Sequence, residues 1–168
     1  FLNKESVLFV SLDSCRYDTF EKAHSLGHLP HLSSIGPLQC AQSPSYFTFG
    51  SHAAFWIGFT PGVVGSVEPW LNPKAGKLFR MAFAGHPGAD CGGFHLDGPN
   101  IIEGFRRLGY RTIGSGAVDW FNPSSETGAV LGAPFDAFHF AGNTWSLTSQ
   151  LTWIDKQLSQ IGYEQPIF

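Results

Sequence analysis

The sequence lacks a long apolar run, a basic stripe, a paired-cysteine motif and a nucleotide-loop signature, and it carries few charges. Its longest apolar stretches are broken by Gly, Pro or polar residues, well short of the ~20 residues that a spanning helix needs. A soluble chain with no membrane partner is expected. Net charge is −3 with acids and bases interspersed, so phosphates along a nucleic acid would meet no continuous set of cations. That argues against nucleic-acid binding. Cys15, Cys40 and Cys91 are odd in number, widely spaced and form no CxxC, against both a disulfide framework and a zinc knuckle. Reduced, structural thiols are expected. No secretory signal is visible and the chain begins at Phe1, where a leader could have been removed, so the compartment stays open with the cytoplasm favoured. Neither GxGxxG nor GxxxxGK[ST] follows the first apolar run, against a nucleotide-binding domain.

Aromatic residues are abundant instead: sixteen Phe and five Trp in 168 residues need a large core or a partner surface. The length suits one domain, residues 1–168. Ser6 to Leu12 (SVLFVSL) reads as a parallel strand buried on both faces and ending at Asp13. Arg16 to Leu26 reads as a helix with Phe20 and Ala23 inward and Gly27 as its stop. A short strand near Leu38 to Gln42, a loop at Ser43-Pro44-Ser45 and a helix from about Gly50 to Ile57, ended by Gly58 and Pro61, come next.

Gly62 to Gly98 is rich in Gly, Pro, Trp and His without clear periodicity, the pattern of a long functional loop or of a region ordered by something outside it. Regularity returns with a helix over Asn100 to Leu108 closed by Gly109, and a strand over Tyr110 to Gly114. A strand near Phe135 to Phe140 follows, then a helix from about Thr144 to Gln160 with Leu147, Leu151, Ile154 and Leu158 on its inner side. Pro166-Ile167-Phe168 reads as the opening of a strand that is cut off. Alternating strands and helices predict an α/β fold, a mostly parallel sheet with helices on both faces and ligands at the carboxyl ends of its strands.

Two places could carry chemistry. Asp13 ends an apolar run with no lysine beside it, where a carboxylate is costly unless a cation such as a metal ion meets it. Capping of the next helix by Asp13 or Ser14 explains it equally well. Thr48 lies at the mouth of a helix whose first N–H groups would face an anion held beside its hydroxyl. A metal that lowered its pKa would make that hydroxyl a nucleophile toward phosphorus or sulfur. The plainer alternative makes Thr48 or Ser51 an N-cap and His52 a surface residue of the first turn.

DSCRYD, Asp13 to Asp18, and SPSYFTFGSHAAFWIGFTP, Ser43 to Pro61, together with the linking LPHLSSIGPLQCAQSP, resemble the alkaline phosphatase/sulfatase superfamily. The nearer branch is the sulfatase-like one with Thr in place of a modified Cys. The likeness covers about the first sixty residues well and the remainder loosely. It implies an alkaline-phosphatase-like fold in which this chain is the N-terminal portion of the catalytic domain. It makes Asp13 the first-strand metal ligand and Thr48 both the catalytic nucleophile and a metal contact. His52 stands where sulfatases have Arg, a candidate to bond the bound anion or the nucleophile oxygen. The Phe49 N–H is a candidate oxyanion donor, and Gly50 replaces the usual Pro. Ser14 in place of a second Asp points from calcium toward zinc or manganese, and Thr48 in place of Cys argues against the formylglycine route.

The resemblance implies that the family's remaining ligands, later His and Asp residues, lie mostly beyond the end of this sequence. His86, His95 and His139 lack ligand spacing, and nothing singles out Asp90, Asp97, Asp119 or Asp136. A missing C-terminal half or a separate partner chain would complete the site. The expected function is metal-dependent hydrolysis or transfer of a small phosphate, phosphonate or sulfate ester. A catalytically incomplete binding or scaffold protein is the alternative, with Gly62 to Gly98 as its interaction surface.

Overall fold

A helix of mixed small and aromatic residues, Thr48–Ile57 (TFGSHAAFWI), buries all but a little of its circumference and supplies four residues to the core of the larger unit. A computed structural model describes residues 5–45, 48–58, 79–80, 95–96, 99–143, 145–162 and 165–168. Contacts divide the chain into two compact units, Val10–Ser43 and Phe1–Phe9 with Pro44–Phe168.

The smaller unit holds α1 (Tyr17–Ser25) and the single turn α2 (Pro30–Ser33). Helix α1 matches the expected span within a residue at each end. Tyr17, Phe20, Ala23 and His24 form its half-buried side. Gly27 stops it at φ +73°, a left-handed conformation that costs glycine little. Leu38 to Gln42 is not a strand.

In the larger unit, α3 (Thr48–Ile57) is followed by the short antiparallel pair β1 (Phe79–Arg80) and β2 (His95–Leu96). Otherwise Gly62 to Gly98, with its loop and its candidate residues His86, Asp90, Cys91 and Asp97, lies outside the described residues. Then come α4 (Ile101–Arg107), β3 (Ile113–Gly116), a 3-10 turn (Asp119–Phe121), α5 (Glu126–Gly132), β4 (Ala137–Phe140) and α6 (Leu147–Leu158). Asn100 caps α4 by accepting from the Glu103 N–H at 2.9 Å, and Gly109 closes it at φ +87°.

β3 and β4 pair in parallel, Ile113 against Ala137 through Gly116 against Phe140. On the other side of β3, Arg111 and Ile167 form a parallel bridge, and the Val7 N–H donates to the Ile167 carbonyl at 2.8 Å. The chain is thus a mixed α/β structure with a small parallel sheet. Its core gathers Phe49, Ala53, Trp56 and Ile57 of α3 with Ile102, Phe121 and Leu131. The Trp56 indole N–H donates to the Leu131 carbonyl at 3.3 Å, so burying the ring leaves no polar group unsatisfied. No helix among the described residues is long and apolar enough to cross a membrane.

Four expectations need correction. Ser6 to Leu12 is not a buried strand: it forms no strand ladder among the described residues, and Leu8 is 84% exposed. A parallel strand owes its burial to neighbours on both faces, and this run touches Ile167 through Val7 and the Ser6 hydroxyl and Phe55 and Trp56 through the Phe9 ring, which leaves most of it exposed. The Tyr110 to Gly114 strand begins later, at Ile113, because Thr112 turns its hydroxyl and N–H to Asp136. Helix α6 is rotated from the expected inner side, leaving Leu147 66% exposed, with Leu151 and Leu158 also exposed. Trp153 stacks on His139 (centroids 5.1 Å apart) and Gln150 accepts from the Ser115 hydroxyl at 3.3 Å, which sets the rotation. Cys15 and Cys40 are free thiols, as expected, but exposed, so neither is a packing residue.

Candidate functional site

Asp13 sits in the smaller unit at the end of the apolar run. Ser14 follows with φ +56°, and the Cys15 N–H closes the turn onto the Leu12 carbonyl at 3.4 Å. The N-cap of α1 is Arg16, so neither Asp13 nor Ser14 fills the capping position that would have explained them. The Ser14 hydroxyl donates to Asp13 Oδ1 at 3.1 Å, and both residues are exposed. Arg16 and Asp18, the other charged residues of the DSCRYD segment, form an exposed bidentate pair at 3.0 and 2.7 Å. Hydrogen bonding from Arg16 holds the Asp18 carboxyl below the usual range.

Thr48 opens α3 two residues before the expected start. It therefore belongs to the first turn, together with Phe49 and Gly50, and the N–H groups of that turn are left to partners outside the helix. The Phe49 ring is fully buried, 6.2 Å from Trp120. Ser51 is not an N-cap but the fourth helical residue, and its hydroxyl donates to the Ser45 carbonyl at 3.1 Å. The SPS loop is thereby tied to the helix it precedes.

His52 is not a surface residue: it is 8% exposed. Its ring meets Phe121 edge-on at 4.9 Å, Trp56 at 5.5 Å and Phe55 at 5.6 Å. Nδ1 lies 2.8 Å from the Thr48 main-chain carbonyl. A carbonyl only accepts, so Nδ1 carries the proton.

Asp136 is accounted for structurally. Its carboxylate accepts from the Thr112 N–H at 2.9 Å and hydroxyl at 3.1 Å, and Arg106 Nε lies 3.0 Å away. Burial raises its pKa, but the Thr112 hydrogen bonds and the charges of Arg106 and Arg111 outweigh that and hold the carboxyl below its usual range. His139 lies on β4 against Trp153, and Asp119 lies in the 3-10 turn.

Asp13 offers one exposed carboxylate that accepts from the Ser14 hydroxyl, whereas a divalent cation needs several such donors. Among the described residues no group of three or more His, Cys, Asp or Glu side chains gathers to hold a metal. The tie from Ser51 to Ser45 and the burial of His52 were missed in the sequence. The close spacing of serines around Thr48 was the available signal for the first, and the aromatic neighbours of His52 for the second. No protein-family profile, curated protein or solved structure matches the chain.

Proposed function

We propose that this chain belongs to a metal-dependent hydrolase or transferase acting on phosphate, phosphonate or sulfate esters, of alkaline phosphatase/sulfatase lineage. Thr48 is its nucleophile and Asp13 one of its metal ligands. The observation that carries the reading is the place of Thr48 as first residue of a ten-residue helix, held from two sides. Ser51 ties the preceding loop to the helix, and His52 bonds the Thr48 carbonyl.

In a phosphate ester the Thr48 Oγ attacks phosphorus as the bond to the alcohol oxygen breaks. The hydroxyl proton passes by way of solvent to the alcohol oxygen, which leaves protonated. Water then attacks phosphorus, releases phosphate and restores the hydroxyl. The Phe49 N–H, in the first turn, is the proposed donor to charge on a nonbridging oxygen. His52 bonds the Thr48 backbone carbonyl through Nδ1. A divalent ion, zinc or manganese, would supply charge neutralisation and a lowered hydroxyl pKa.

The test is turnover of an aryl phosphate and an aryl phosphonate diester, with zinc or manganese added, in wild type and Thr48→Ala. Loss of turnover in a folded variant supports the reading; retained turnover refutes it. A chain that neither binds metal nor turns over, yet saturably binds a partner protein, favours the scaffold alternative.

A further inference from the structure

We propose that the cleft around Arg111 binds a small oxyanion, a phosphate or a carboxylate group, on the Arg111 guanidinium. The proposal is independent of the reading of Thr48. A cavity of about 580 Å³ is lined by Glu103, Arg106 and Arg107 of α4 with Arg111, Asp136 and Gln165. Arg111 and Gln165 also line a second cavity of about 350 Å³, together with Gln157 and Gln160. Three cations thus face two acids, and both acids are taken. Arg106 Nε holds Asp136 Oδ1 at 3.0 Å, and its Nη1 donates to the Pro134 carbonyl at 3.4 Å. The other oxygen of Asp136 accepts twice from Thr112. Arg107 stands 3.9 Å from Glu103.

Arg111 is the cation left over. Its charge acts on Asp136 from a distance, yet among the described residues no carboxylate forms an ion pair with it and no acceptor takes a bond from its guanidinium. The residue is half-buried. Its backbone is fixed in the sheet: the N–H donates to the Pro166 carbonyl at 2.9 Å, and the carbonyl accepts from the Phe168 N–H at 3.0 Å. A guanidinium drawn part-way out of water without a partner is costly. Its planar fork of N–H donors matches the paired oxygens of a carboxylate or phosphate. The neutral amides of Gln157, Gln160 and Gln165 add donors to the cleft without adding a charge that competes for the guanidinium. An arginine with a structural task alone would be spent as Arg106 is, on an acid and a carbonyl of its own chain.

The test is titration calorimetry with sodium phosphate and with sodium succinate, at an ionic strength held constant with sodium chloride, on wild type, Arg111→Gln and Arg107→Gln, with thermal melting of each. Wild type is expected to bind at least one of the two anions saturably. Arg111→Gln should weaken that binding by about tenfold or more. Arg107→Gln removes the same charge from the same cavity and should stay within roughly twofold of wild type. Saturation by phosphate alone assigns the site to phosphate groups, and saturation by succinate alone assigns it to carboxylates. If Arg111→Gln does not fold, the Arg111 Nε–H resonance of wild type decides: a shift that saturates with the anion supports the site, and a resonance that stays in place overturns it. A wild-type chain that binds neither anion beyond the chloride control also overturns it. So does undiminished binding in Arg111→Gln, or an equal loss in Arg107→Gln, which would reduce the effect to the general field of the cleft.

Discussion

The imidazole Nδ1–H of His52 donates to the main-chain carbonyl of Thr48, one helical turn earlier, at 2.8 Å. That carbonyl also stands in the i to i+4 ladder of α3, so the ring adds a second bond to the residue that carries the proposed nucleophile. The bond and the packing of the ring separate cleanly by substitution.

His52→Ala removes the contacts with Phe121, Trp56 and Phe55 as well as the bond, and is expected to cost about 3 kcal/mol in urea unfolding. His52→Phe keeps most of the volume and should cost about 1 kcal/mol, the net worth of one hydrogen bond. Equal costs for the two would mean that the ring packing contributes little.

Asp136 ties the start of β4 to β3: it takes two bonds from Thr112 and an ion pair from Arg106, at 17% side-chain exposure. Its carboxyl is held below the usual range, so its contribution is present above the unfolded value of about pH 4 and is lost as pH falls through the lower folded value. Asp136→Asn is expected to lose about 2 kcal/mol at neutral pH. The gap to wild type should close in acid. A gap that stays constant from pH 7 to pH 3 would exclude the ionised carboxylate as its source.

Gly128 lies within α5, where exchange for Ala ordinarily stabilises by about 0.5–1 kcal/mol. Here a Cβ would fall 2.0 Å from the Asn122 carbonyl oxygen, and the neighbouring atoms are main chain too. Gly128→Ala is therefore expected to destabilise by about 2 kcal/mol or more, read as a lowered melting temperature. A rise in that temperature would contradict the packing described.

Features set by local chemistry were legible in the sequence. Gly27 and Gly109 end α1 and α4 where the backbone turns left-handed, and Asn100 with Glu103 announces the start of α4. Features set by neighbours were not. Helix α5 went unnoticed because Gly128 and Gly132 weaken its propensity; it forms on the Ser125 cap and the buried Leu131. The apolar spacing of Leu147, Leu151, Ile154 and Leu158 named the wrong side of α6, since Trp153 and Gln150 make the contacts that orient it. Ser6 to Leu12 has the composition of a buried strand, but burial depends on what lies beside it. At the candidate site, the contacts that hold Thr48 and Asp13 were not legible. Nothing in the residue types announces that Ser14 is left-handed, and for the inward turn of His52 the aromatic neighbours were the one sign.

The central claim is that the Thr48 oxygen forms a covalent bond to the substrate. It is tested most directly by mixing the chain with an aryl phosphate in the presence of zinc or manganese, quenching in acid and mapping the digest by mass spectrometry. The account predicts a phosphoryl group on Thr48, absent in Thr48→Ala. Turnover that proceeds with no phosphoryl group on Thr48, or with one on another residue, would contradict it.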